Sequence, residues 1–252
     1  ASKAFSHYQV DKKTAGDDRR NDVSVIHIDS RNILWIGTPY GLFRFERSTG
    51  TFTKYQSHNS HNSNALEQVV SIIEDRGGIL WVGIFRVGIG RYDRDKDKFT
   101  FYANDPKNSH SLSDDIVSPI YEDRSGILWV GTAWGGINKL DGARKPFHHY
   151  TQDPAYPTSL SDKNVYDICA DRSGTLWVAT TGGLNRLNNR TSTFVHYKND
   201  PKNPKSISSN FVRSVIEDSR GAIWVGTSEN TGLDRLDPPK RGGTWQGDGH
   251  FI

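Results

Sequence analysis

The sequence predicts an all-β chain folded as a five-bladed β-propeller of four-stranded antiparallel blades. Three observations carry this. Trp35, Trp81, Trp129, Trp177 and Trp224 are separated by 46, 48, 48 and 47 residues, the period of one propeller blade. Each lies in a near-copy of one ten-residue stretch: DSRNILWIGT (29–38), DRGGILWVGI (75–84), DRSGILWVGT (123–132), DRSGTLWVAT (171–180) and DSRGAIWVGT (218–227). The 24 glycines and the aromatic share of 11% in 252 residues suit many short strands joined by tight turns, and no long helix is expected.

Each unit divides into four strand-like runs. The first (VSVIHID, VSIIED, VSPIYED, VYDICAD, VRSVIED) is rich in β-branched residues. The second, ILW[VI]G or close to it, is a continuous apolar run and is expected to be covered on both faces. Between them Asp opens a tight turn, closed by Asn32, Gly78, Gly126, Gly174 or Gly221, residue types with access to positive φ. The third (GLFRFE, GIGRYD, GINKLD, GLNRLN, GLDRLD) alternates apolar with polar, as a strand solvated on one side would. The fourth is an FxxY run at 52–55, 99–102, 147–150 and 194–197, and a Pro-, Asn- and Ser-rich loop then leads into the next unit. Four strands cannot bury both faces of their own sheet, so the recurring Trp is expected between neighbouring sheets.

The two ends suggest how a ring would close. FSHY, at 5–8, is an FxxY run with no earlier strands in front of it, and Tyr8 lies 27 residues before Trp35, in phase with the later repeats. The fifth unit runs into Pro238 and Pro239, which cannot donate to a ladder, and no FxxY follows. Residues 4–9 are therefore expected to complete the last blade and hide the sheet edges. The competing expectation places the 240–252 tail there, since Trp245 lies 21 residues after Trp224. One domain spans 1–252, with repeats at 23–68, 69–115, 116–164, 165–210 and 211–237 plus 4–9, and an irregular tail at 238–252.

A net charge of +3, from 32 basic residues scattered among 29 acidic ones, argues against a nucleic-acid partner. No apolar run approaches a membrane span, and the start lacks the regions of a signal peptide. Cys169, alone in the chain, excludes an internal disulfide and is expected to be a buried, inert thiol. Methionine is absent even at position 1, which points to excision from a longer polypeptide or processing of its start.

The unit V-x-x-I-x-E-D-R-S-G-x-L-W-V-G-T-x-x-G-G-[LI]-N-[RK]-L, followed by FxxY and DPxxxxSLS, resembles the two-component regulator propeller repeat. The resemblance covers 23–237 and the half-unit at 5–8. It implies the periplasmic or extracellular sensor region of bacterial regulators or membrane-bound signalling enzymes, often responding to oligosaccharides. Members usually carry more repeats, followed by an immunoglobulin-like module, a membrane span and an output domain. None of those is in this sequence, so fusion to membrane-bound signalling domains, or a homodimer, is the partner arrangement implied. Streptogramin lyases and some polysaccharide lyases use similar tryptophan-bearing repeats, which keeps an enzyme in view.

Residues that recur in every unit support the fold; those that differ at equivalent positions are free to specify a ligand. The loops joining the second strand to the third, and the fourth to the next first, share one face. Tyr40, Phe85, Arg86, Trp134, Glu229 and Asn230 are the odd residues of the former loops. Aromatics, an Arg and a carboxamide suit a sugar, whose CH faces stack on rings while its hydroxyls take polar partners. The alternative is variable surface packing. The other loops add His58, His61, His110, Asp114, Asp115, Tyr156, Asp162 and Asn164, read as solvated or turn-capping residues. Glu74, Glu122 and Glu217, each just before the turn Asp, are expected to line a wet channel. Asp114, Asp115, Asp162 and Asp167 are the carboxylates a glycosidase would draw on, but nothing marks an acid and a base. No metal and no cofactor is assigned. The function expected is non-catalytic recognition of an oligosaccharide or other small polar ligand. The alternatives are a lyase or hydrolase acting at the same face on a polysaccharide or lactone-like substrate, and a protein-interaction scaffold.

Overall fold

The computed structural model describes residues 4–10, 21–55, 68–141, 147–229, 231–239, 245 and 251. Among them are nineteen strands and no helix. The first sheet comprises β1 (Val25–Ile28), β2 (Leu34–Thr38), β3 (Gly41–Glu46) and β4 (Thr51–Lys54); the second, β5 (Val69–Glu74), β6 (Leu80–Ile84), β7 (Gly88–Asp93) and β8 (Lys98–Tyr102). The third holds β9 (Val117–Glu122), β10 (Ile127–Thr132), β11 (Ile137–Asp141) and β12 (His148–Tyr150). The fourth holds β13 (Val165–Ala170), β14 (Leu176–Thr180), β15 (Gly183–Asn188) and β16 (Thr193–Tyr197); the fifth, β17 (Val212–Glu217), β18 (Ile223–Thr227) and β19 (Gly232–Leu236). Every sheet is an antiparallel meander in sequence order.

The chain forms two compact units, 1–102 with the first two sheets and 103–252 with the other three. In the first, β5 packs against β1 and β2; in the second, β13 packs against β9 and β17. The first strand of each repeat is thus the inner one.

Local chemistry explains each sheet. The turn residues Asn32, Gly78, Gly126, Gly174 and Gly221 all have positive φ, between 61° and 89°, so the inner hairpin closes as its composition requires. The apolar second strands are buried along their whole length in β6 and β14. Trp35, Trp129 and Trp177 each pack against residues of the following sheet, Trp177 for example in one cluster with Val212, Val215 and Ile223. The Gly two residues after Trp129 is small for a reason. A Cβ on Gly131 would meet Val165 of the next inner strand at 2.7 Å, inside any van der Waals contact.

The third strand departs from simple alternation. Its first three residues are buried in β7 and β15, and solvent reaches only its second half. In the third, fourth and fifth sheets the loop before the inner strand lies on the third strand, Ser113, Ser161 and Ser208 donating to Asn138, Asn185 and Asp234, and its Leu112, Leu160 and Ile207 are fully buried.

The expected closing strand at 4–9 is corrected. These residues form no strand, and Tyr8 packs edge-on against Phe45 of the first sheet, 5.0 Å between centroids. The antiparallel partner of β19 beyond its sheet is instead Phe251, bridged to Leu236. Phe251 donates its N–H to the Lys205 carbonyl at 2.8 Å and is buried on Tyr197, Ile207 and Leu236. Trp245 stands edge-on to Trp177 at 5.1 Å. Phe251 and Trp245 bury apolar surface on the second unit, whereas Phe5 is fully exposed.

Candidate functional site

Two sets of loops meet at one end of the sheets. The residue after the second strand donates its N–H to the carbonyl of the residue before the first: Phe85 to Gln68, Ala133 to Ile116, Ser228 to Phe211, at 2.9–3.0 Å. Neighbouring repeats are joined there as well, Gln68 N–H to Pro39 and Gly136 N–H to Lys163, both at 3.0 Å. The Asp turns lie at the opposite ends of the strands.

In the first unit these loops enclose a pocket of about 440 Å³ lined by Ser24, Pro39, Tyr40, Gln68, Val70 and Phe85. Thr38 sets the approach to Tyr40, its Oγ1 accepting the Tyr40 N–H at 3.1 Å and donating to the Gly41 carbonyl. Tyr40 and Phe85 are both half-buried. Arg86 has φ 61° and places its guanidinium 5.2 Å from the Phe85 ring centroid. Tyr40 and Phe85 are therefore brought together as two flat faces lining a cavity of ligand size, with the exposed Arg86 beside Phe85.

The remaining expected site residues lie in the second unit. Trp134 follows β10 and is 58% exposed. Its loop is pinned by Thr132, whose Oγ1 accepts the Gly135 N–H and donates to the Gly136 carbonyl. Glu229 has φ 70° and accepts a hydrogen bond from Ser209 Oγ at 2.8 Å. Asn230, His58 and His61 lie outside the described residues. Sequence reasoning missed Gln68. Its signal was its place immediately before an inner strand, where other repeats carry Ile116, Asn164 and Phe211.

The carboxylates of these loops hold backbone. Asp114 accepts the Ile116 N–H, Asp162 the Asn164 N–H and Asp115 the Asn104 N–H. Asp167 binds the N–H groups of Ile168 and Val215, and burial pushes its carboxyl above the ordinary range. Among the described residues no group of three or more His, Cys, Asp and Glu is placed to hold a metal ion.

Glu74 and Glu217 do not line a channel. They sit at the turn ends and clasp the preceding repeat, Glu74 taking the Ser30 Oγ and Glu217 the Arg172 N–H and guanidinium, while Glu74 also takes the Arg94 guanidinium of its own repeat. Arg94 also reaches Asp29 at 2.9 Å. Burial opposes the charge on Asp29, but hydrogen bonds from Trp35, the Ile33 N–H and Arg94 prevail and hold it below the ordinary carboxylate range. Burial pushes the Cys169 thiol up to about 12, with Asp167 adding to the shift, which makes it inert.

The family model described as two component regulator propeller matches residues 111–134, 159–182 and 206–229. Nothing among the curated proteins matches the sequence. Among solved structures, the extracellular domain of a one-component system of B. thetaiotaomicron is similar, with 22% identity over 88% of this chain and a TM-score of 0.68. PorZ, a surface component of the type-IX secretion system of Porphyromonas gingivalis, has 19% identity over 86% and a TM-score of 0.63. The chain spans 28% of the first and 32% of the second. A virginiamycin B lyase of Staphylococcus aureus solved with quinupristin has 15% identity over 88% of this chain and 68% of its own, with a TM-score of 0.60. At these identities the likeness is one of fold.

Proposed function

We infer, from a chain built of two-component regulator propeller repeats, that it is a non-catalytic ligand-binding module of an extracellular or periplasmic sensor. Its ligand is an oligosaccharide or other small polar molecule taken up at the loop face, and signalling domains on the same polypeptide, or a second copy, carry the response. The observation that carries this is the pocket lined by Tyr40 and Phe85, with Arg86 beside it. Trp134, Glu229 and Asn230, the odd residues of the equivalent loops in the second unit's repeats, are proposed as further ligand contacts. A single five-bladed ring over 1–252 belongs to the same reading. Five copies of one sequence unit, each with its own inner hairpin, support it.

The enzyme reading draws on the lyase fold but finds little in the carboxylates, since Asp114, Asp162 and Asp167 are engaged by backbone N–H groups. A glycan array followed by product analysis separates the two. Binding of at least one oligosaccharide without chemical change is expected. A new reducing end or an unsaturated product would establish the lyase or hydrolase, and an array with no binder would favour the protein scaffold.

A further inference from the structure

The loop end of the second unit carries a guanidinium that forms no ion pair among the described residues. Arg213 lies near the start of β17. Its guanidinium carbon is 4.6 Å from the Tyr166 ring centroid and 4.5 Å from that of Phe211, and the two rings, 5.2 Å apart and tilted by 52°, form a notch beneath it. Its Nε donates to Ser228 Oγ at 3.0 Å. The guanidinium is thus oriented by two rings and one hydroxyl, so little side-chain freedom is left to lose on binding.

Its two terminal nitrogens have no hydrogen-bond partner among the described residues, and the side chain is exposed. The nearby carboxylates do not pair with it. Glu229, on the loop of Ser228, takes the Ser209 hydroxyl, and Asp167, beside Tyr166, binds the Ile168 and Val215 N–H groups. An oriented arginine with a free pair of Nη donors fits an oxyanion bidentately, which a lysine point charge cannot do.

We propose that Arg213, seated on Tyr166 and Phe211 and steadied by Ser228, is the anion anchor of a binding site in the second unit, taking the carboxylate or sulfate group of an acidic saccharide. The saccharide rests on the functional reading above; the oxyanion site does not, because it is built from other residues, Tyr166, Phe211, Arg213 and Ser228.

Isothermal titration of the whole chain with trigalacturonate, a sulfated galactotriose and neutral galactotriose tests it. An acidic trisaccharide should bind, the better of the two telling carboxylate from sulfate. R213Q should weaken that binding about tenfold or more, and R213K should restore little of it, with the melting temperature unchanged. If R213Q folds poorly, S228A supplies the second variant: it releases Nε without touching the charge and should weaken acidic ligands only. Equal affinity of R213Q and the unaltered chain, or no binding of either acidic probe, overturns the site. Trigalacturonate binding that depends on Arg213 but ignores Tyr40→Ala and Phe85→Ala supports the anion site by itself, so that failure of the pocket, read from the array-selected oligosaccharide, stays distinguishable from failure of this site.

Discussion

Asp171 shows how much one side chain of the repeat does. One carboxylate oxygen accepts the N–H groups of Ser173 and Thr175 and the Ser173 hydroxyl, and the other accepts Trp177 Nε1 at 3.0 Å. The same bond, from Trp Nε1 to the Asp six residues earlier, closes in all five repeats at 2.8–3.0 Å. Asp171 is almost wholly buried, so Asp171→Ala would strand several donors at once. It should cost about 3 kcal/mol or more in urea unfolding, and Asp218→Ala, at a half-exposed site, clearly less. The turn role of these aspartates was legible in the sequence because Asp followed three residues on by Gly or Asn is local chemistry. The indole bond was not, because its signal is only the constant spacing of six, and strand pairing decides whether that spacing faces inward. Histidines add a pH dependence. Burial holds the imidazoles of His27 and His196 below their ordinary value, the Ser159 carbonyl partly opposing this at His196. The folded chain therefore takes up these protons at lower pH than the unfolded chain. Stability is full above about pH 6.5 and declines below it, toward the folded values. The melting midpoint should fall between about pH 6.5 and 5, and His196→Gln should remove part of that fall; a flat midpoint would contradict the assignment.

At the scale of the element, the third strand and the loop that covers it act together. Asn138 and Asn185 are fully buried and accept the N–H groups of Ser113 and Ser161; Asp234 does the same for Ser208. The first two sheets carry Phe43 and Gly90 at this position, and the three segments matched by the family model fall in the other three sheets, each opening on this loop. Asn185→Leu should destabilise by about 2 kcal/mol, because the Ser161 N–H and its neighbours lose their acceptor in a dry site, whereas Trp177→Ala should cost about 3–5 kcal/mol. Thermal denaturation of both variants checks the order. The sequence pattern indicated a half-solvated third strand because hydrophobic alternation sees only apolar cover. Here the cover at Asn138, Asn185 and Asp234 is a polar contact made by the loop.

For the whole molecule, periodicity put FSHY in phase with the fourth strands, yet residues 4–9 form no strand. A period states which strand a segment imitates and leaves open which sheet receives it. The choice is decided by how much apolar surface each candidate buries, and Phe251 and Trp245 bury more than Phe5 and Tyr8. Phe251→Ala should therefore cost about 3 kcal/mol, while removal of residues 4–9 should cost less than about 1 kcal/mol; the reverse order in chemical unfolding would restore the N-terminal closure. The candidate site was legible where repeats disagree, as at Tyr40 and Phe85. It was not legible where a backbone position, such as Gln68, does the shaping. The most direct measurement of the central claim is isothermal titration of an array-selected oligosaccharide with Tyr40→Ala, Phe85→Ala and, at the opposite end of β18, Arg220→Ala. The pocket account predicts about tenfold or greater loss for the first two and none for the third. Unchanged affinity in Tyr40→Ala and Phe85→Ala would contradict it.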